Sequence, residues 1–404
     1  MSRFGLSRRL PPIGLVPLVA LMLLCSRVSL SQEKKENDCL VCHRMTSPGI
    51  VKDWEASKHS QSKVGCGACH GTEHATPEDA KKAKMPAAKD CAVCHKDQAA
   101  QFGDGKHALA WIAMEAMPRT THLPAPIVGG LKGCGGCHRI GKDGGKCDSC
   151  HTRHRFSADE ARNPLACNTC HMGFDHPQYE MWSTSKHGII HQIEPTTGRA
   201  PTCQVCHMSK GNHRVMTAWG FLGLRLPEKD PAWMADRAVI LKGLGVLDPQ
   251  GNPTPRLDVV KAGKVARLTT EEWQAERDQQ VGVCRQCHSE RHVLDNLAAG
   301  DQMIRWSDSV MAGAITMVAK LYEDKVIQPQ PDQPFAYPDI LSFYEQRTPA
   351  EEELYEMFME YRMRAFQGAF HMNPDYSHWY GWAPLNKGLV VVRDEAERMR
   401  RERK

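Results

Sequence analysis

The chain has 404 residues, of which 41% are hydrophobic, 7% aromatic and 25% charged, with a formal net charge of +5. That length allows two or three ordinary domains, yet so few aromatic residues leave a conventional side-chain core thin. The small positive balance gives no ground for expecting a nucleic-acid partner.

Residues 1–31 read as a secretory signal peptide. Arg3, Arg8 and Arg9 form a charged start, and Ile13 to Cys25 is an apolar stretch broken by Pro17 and too short to remain as a membrane span. Cleavage is expected near Ser31, which removes Cys25 with the signal. The mature chain is therefore expected in the periplasm or another extracytoplasmic compartment, soluble and without a transmembrane anchor.

Residues 32–213 carry seven copies of Cys-x-x-Cys-His: Cys39, Cys42 and His43; Cys66, Cys69 and His70; Cys91, Cys94 and His95; Cys134, Cys137 and His138; Cys147, Cys150 and His151; Cys167, Cys170 and His171; Cys203, Cys206 and His207. After a long gap an eighth follows, Cys284, Cys287 and His288, and only Cys25 of the cysteines is left over. This spacing is the attachment signature of c-type haem. The two thiols form thioethers to the porphyrin, and the adjacent His becomes the proximal iron ligand. One copy is open to other readings, but eight leave little room for them. Eight covalently attached haems would also supply the apolar surface that the side chains lack. Segments this short cannot be independent domains, so short helices and loops wrapped on porphyrins are expected here.

Residues 214–404 have a different texture. Residues 214–283 lack cysteine and hold a turn-rich patch from Asp248 to Pro253, then a helix start at Thr269, Thr270, Glu271 and Glu272. Beyond His288, Ile304, Met311, Ile315, Val318 and Tyr322 recur at helical spacing, as do Leu354, Phe358, Tyr361 and Ala365. Residues 394–404 read as a charged helix end with a solvated face. With almost no alternating pattern anywhere, the expected fold class is an all-α multihaem cytochrome c with long C-terminal helices.

Trp54 to His59 and Trp182 to His187 share the pattern W-x-x-S-K-H, and Gly105-Lys106-His107 echoes its end. Each is read as a short helix that presents one imidazole to a haem. An electron-transfer haem needs a second axial ligand, whereas a catalytic one keeps that position open. The candidates are His59, His107 and His187 from the repeats, and His74, His154, His213 and His292 shortly after a motif. That gives seven for eight irons, so one iron is expected to stay open. His122, His191, His371 and His378 remain as possible replacements.

Two further segments resemble the octahaem hydroxylamine oxidoreductase family, whose members oxidise hydroxylamine or hydrazine. Residues 175–187, from Asp175-His176 to Lys186-His187, are similar to its active-site segment, and residues 371–381, with Tyr376, to its C-terminal tyrosine loop. The resemblance spans nearly all of residues 38–390. It implies that the fourth haem, on Cys134, Cys137 and His138, is catalytic, with Asp175 and His176 lining its pocket. It also implies a homotrimer in which Tyr376 is bonded to a neighbouring subunit's haem, as in the oxidising members. The expected function is hydroxylamine oxidation to nitric oxide or nitrite, with electrons passing through seven bis-histidine haems to a soluble cytochrome c-type acceptor. Hydrazine oxidation, reduction of nitrite or hydroxylamine, and a purely electron-transferring cytochrome are the alternatives.

Overall fold

The computed structural model describes residues 39–115, 128–331, 333–342 and 345–403. The expected signal peptide and His122 lie outside the described residues. Among the described residues there is no β-strand, only three isolated bridges. No described helix is long and apolar enough to cross a membrane.

The described residues form two compact units, and the expected boundary near residue 213 does not divide them. The smaller comprises the described residues up to Pro86 together with His151–Ser157. Its helix α1 (Pro48–Glu55) starts on a proline, whose missing N–H a first turn does not need. The Trp54 indole then donates to the Val64 carbonyl at 3.0 Å, tying down the segment just beyond the short helix that carries His59.

The larger unit comprises Ala87–Cys150 and Ala158–Lys404. Its motif-bearing half holds short helices, among them α2 (Gln178–Ser183) and α3 (Lys186–Ile193). Its C-terminal half is a helical bundle: α4 (Pro231–Gly243), α5 (Thr270–Cys284), α6 (Glu290–Glu323), α7 (Pro349–Glu356), α8 (Met363–Phe370) and α9 (Ala383–Glu402). The helix start expected at Thr269 is α5, whose Thr269 hydroxyl accepts from the Glu272 amide. The 34 residues of α6 span about 51 Å. Its periodic residues Ile304, Met311, Ile315, Val318 and Tyr322 are all buried, packing with Ile240, Leu244, Phe358 and Leu385.

Two wider π turns interrupt the last helices, at Met357–Arg362 and Ser377–Trp382. The second crosses α8 so closely that a Cβ at Gly381 would lie 2.3 Å from the Ala365 nitrogen. Glycine is therefore required there, and it brings the tyrosine-bearing segment against α8.

Candidate haem sites and reaction pocket

The W-x-x-S-K-H repeat is a recurring structural device. Ser57 and Ser185 are buried N-caps that accept from the amides of Ser60 and Gly188. Each fixes a short helix whose second residue is the histidine, His59 or His187. Gly105 stands at the same place before the 3-10 turn Lys106–Leu109.

Two imidazoles that hold one iron from opposite sides have ring centres about 6 Å apart: two metal–nitrogen bonds of about 2 Å, plus about 1 Å from each nitrogen to its ring centre. Six pairs meet this distance, each joining a motif histidine to a histidine outside the motifs; His171 belongs to two of them, and its pair with His176 is taken up below. In the smaller unit the other pairs are His43 with His74 at 6.1 Å and His70 with His154 at 6.0 Å. In the larger unit they are His171 with His107 at 6.1 Å, His288 with His187 at 6.0 Å and His207 with His371 at 6.3 Å. Burial pushes His107 and His371 down to about 4, which keeps both rings in the neutral form that binds a metal. The residues fit bis-histidine haem.

His371 therefore takes a place that sequence proximity gave to His292. His292 instead stacks on His288, with ring centres 4.8 Å apart and planes 25° from parallel, which leaves no room for an iron between them. The reason is local. Ser289 caps α6 immediately after the motif, and the first helical turn holds His292 beside its own proximal ring. His191 packs on Trp182, and exposed His378 packs on Trp379, so neither faces a motif histidine. His59 packs on Phe156 in the stretch that begins with His151. The His213 amide donates to Gln101, on the Lys96–Gly103 helix that directly follows His95.

His138 is different. Its Nδ1 donates to the Ala110 carbonyl at 2.8 Å, and among the described residues no imidazole stands opposite it. Cys137 lies within hydrogen-bonding reach of Cys170, and the Cys170 carbonyl in turn stabilises the protonated ring of His176. His176 is hydrogen-bonded through Nδ1 to Asp175. Burial alone would depress His176, but the hydrogen bond and charge of Asp175 outweigh it, and the net shift is upward. The His176 ring centre is also 6.2 Å from that of His171, edge to face. Asp175 shifts His176 toward the protonated form, which cannot bind a metal, whereas His107 is kept neutral, so His107 is the better ligand opposite His171.

Sequence reading missed the groups that place this pair. A Cβ at Gly173 would lie 2.7 Å from His176 Cε1 and 3.2 Å from an Asp175 carboxylate oxygen, so a side chain there would displace the pair. From α8, Arg364 Nε donates to the Phe174 carbonyl at 3.1 Å and Gln367 Nε2 to the Asp175 carbonyl at 3.2 Å. In the smaller unit Asp79 receives His74 Nδ1 at 2.8 Å. The backbone amides of Thr76 and Ala75, just after His74, hold that carboxylate well below its usual range.

Tyr376, which the family resemblance placed in a bond to a neighbouring subunit's haem, lies inside its own chain. It is 3% exposed within its own chain, stacked on Tyr380 with ring centres 4.8 Å apart. Burial pushes its hydroxyl up to about 12, with Arg364 opposing and Glu180 adding to the rise. Tyr380 and Trp379 hold the surface positions of this segment, 49% and 63% exposed.

The motif cysteines of different sites also adjoin one another. Cys91 neighbours Cys147, Cys150 neighbours Cys167, Cys167 neighbours Cys203, and Cys206 neighbours Cys284 and Cys287. Motifs scattered along the larger unit's sequence are thus contiguous in space.

A helical chain in which attachment motifs alternate with facing imidazoles is a multihaem cytochrome c. Residues 35–221, which hold seven of the eight motifs, match the model of the family described as seven times multi-haem cytochrome CxxCH. The chain is 29% identical to a probable nitrite reductase-hydroxylamine oxidoreductase fusion protein of Kuenenia stuttgartiensis, over 91% of its own length and 52% of the relative's. It thus spans about half of that curated relative. Its fold matches the reducing HAO-like protein complex of Kuenenia stuttgartiensis with a TM-score of 0.68 and 25% identity, covering 93% of this chain and 87% of that one. A hypothetical multiheme protein matches with a TM-score of 0.68 at 21% identity, covering 91% and 96%. The chain has the fold of multihaem cytochromes and is similar to HAO-like and nitrite reductase proteins, and its attachment motifs are those of covalently bound haem.

Proposed function

We propose that this chain carries eight c-type haems and uses one of them, on Cys134, Cys137 and His138, to reduce a small nitrogen compound, hydroxylamine or nitrite. The five facing histidine pairs would hold five of the other haems, and His95 with His213 and His151 with His59 would hold the remaining two. Cys134, Cys137 and His138 would hold this haem, and when bound it would supply the iron that binds the nitrogen compound and delivers electrons to it. Converting hydroxylamine to ammonia and water consumes two electrons and two protons. His176, held protonated by Asp175, donates a proton to the departing oxygen. Asp175 keeps the ring oriented and its charge balanced.

The observation that carries this reading is the absence, among the described residues, of an imidazole opposite His138, together with the neighbouring motif cysteine Cys137 adjoining Cys170, whose carbonyl meets His176. The direction rests on two further points. A histidine with a raised pKa is held in its protonated form and so has a proton in place to supply, and Tyr376 is packed inside its own chain. Oxidation of hydroxylamine to nitric oxide or nitrite, or of hydrazine, is the second reading. It is favoured by half-exposed Tyr380, which would be free to reach a neighbouring subunit of a homotrimer. An extracytoplasmic location and a small redox-protein partner go with either direction.

Optical and EPR spectra of the purified holoprotein, with turnover on hydroxylamine, nitrite and hydrazine using dye donors and acceptors, test the proposal. One high-spin haem of ordinary spectrum with dye-driven hydroxylamine reduction is expected. A covalently altered high-spin haem with oxidative turnover selects the second reading. An entirely low-spin protein overturns both.

A further inference from the structure

Proximal imidazoles that bind iron through Nε2 carry their proton on Nδ1, and the acceptor that receives it tunes the ligand and hence the metal. In this chain His70, His138 and His207 give that proton to the backbone carbonyls of Lys84, Ala110 and Met216 at 2.8 to 2.9 Å. A backbone carbonyl is a fixed partner. His171 instead donates to a side-chain amide, Gln178 Oε1, at 2.8 Å.

That single donation fixes the orientation of two amides in turn. With its oxygen committed to His171, the Gln178 amide must point its NH2 outward, and it donates to Gln367 Oε1 at 2.9 Å. Gln367 must then point its own NH2 the other way, and it donates to the Asp175 carbonyl. Gln367 is 6% exposed, so water does not compete for these groups. Its backbone carbonyl also receives Nδ1 of His371 at 2.8 Å. The Gln178 backbone N–H donates to the His176 carbonyl at 2.9 Å. Two glutamines therefore join the ring of His171, the ring of His371 and the backbone of the Asp175 and His176 pair.

We propose that Gln178 and Gln367 form a directional amide relay that sets the reduction potential of the haem on His171 and holds Asp175 and His176 in register with it. Both are positioning residues. The proposal rests on the proposed function for the role of Asp175 and His176, but its electrochemical half concerns a low-spin haem and stands apart from which substrate is turned over. A stronger acceptor at Nδ1 makes His171 a stronger donor to ferric iron and lowers the potential, and loss of the acceptor raises it.

The test is an EPR-monitored potentiometric titration of the full-length holoprotein and its Gln178→Glu and Gln178→Leu variants. One low-spin signal is expected to move to lower potential in Gln178→Glu and to higher potential in Gln178→Leu, with haem content unchanged. Shifts in the same direction in both variants, or none, overturn the relay, because packing damage has no reason to change sign with the acceptor. Gln367→Leu spares the His171 contact, so it is expected to slow hydroxylamine turnover with a smaller change at that signal than Gln178→Leu gives. Unchanged turnover in that variant removes the link to Asp175. A protein with no high-spin haem would sink the proposed function and leave the titration result intact.

Discussion

The chemistry turns on adjacent residues. Asp175 raises His176 above the ordinary value of 6.5 despite burial. Reduction that needs protonated His176 is full below that raised pKa and is lost as pH climbs through it, so the alkaline limb of kcat/KM for hydroxylamine should lie above 6.5. Asp175→Asn removes the charge while burial persists, and the limb should move to lower pH; a stationary limb would assign it to another group. Gly173→Ala pushes a methyl group onto the His176 ring, and turnover should fall on the order of 100-fold with low-spin haem spectra unchanged. At this scale the sequence was readable where chemistry lies in a contiguous motif, as in the eight Cys-x-x-Cys-His segments and Asp175-His176. It was unreadable where a ligand arrives from afar. His371 lies in the carboxy-terminal helical half, well beyond the motif of His207, and nothing local distinguishes it from His292.

Among the elements, the repeat that begins Trp54 and Trp182 shows how a short sequence can specify a ligand's position. The tryptophan anchors the turn through its indole, to Val64 in one copy and to Pro201 in the other, both at 3.0 Å. The serine caps the helix, and the histidine falls on its second residue. Four to eight residues make too short a helix to persist alone, so the cap and anchor determine whether the ring is presented at all. Ser185→Ala should destabilise the fold by about 1 kcal/mol. It should also broaden or lose one low-spin EPR signal, that of the haem between His187 and His288. Thermal unfolding together with EPR checks both. A stability loss that leaves every low-spin signal unaltered would mean that the haem, rather than the cap, holds His187. The long helices were legible for the opposite reason. A periodic apolar face repeated over 34 residues leaves no competing structure, while the π turns depend on tertiary crossings such as Gly381 against Ala365.

Across the whole molecule, α8 does two jobs. One face supplies Arg364, Gln367 and, just past its end, His371 to the haem-bearing half of the larger unit. Its other attachment is to a buried charge cluster that hydrophobic patterning could not have revealed. Asp308 on α6, fully buried, receives Arg362 at 2.7 Å and Arg237 at 3.1 Å, and the oxygen that holds Arg237 also accepts the Trp233 indole at 2.7 Å. Arg362, directly before α8, donates onward to the Leu222 and Gly223 carbonyls at 2.8 and 3.2 Å. Two cations around one anion are tolerable here because other acceptors share them, Glu228 among them for Arg237. Removing the anion leaves both guanidinium groups without their common counter-charge in a dry core, a situation worth about 3–5 kcal/mol. Asp308→Ala should therefore lower stability by about that much in denaturant unfolding followed by far-UV circular dichroism. Because the cluster anchors the start of α8, the same variant should also weaken the low-spin signal that depends on His371 before the helices melt. A drop in stability with that signal intact to the global midpoint would show that α8 is held by its apolar packing instead, and that the charges serve only the bundle.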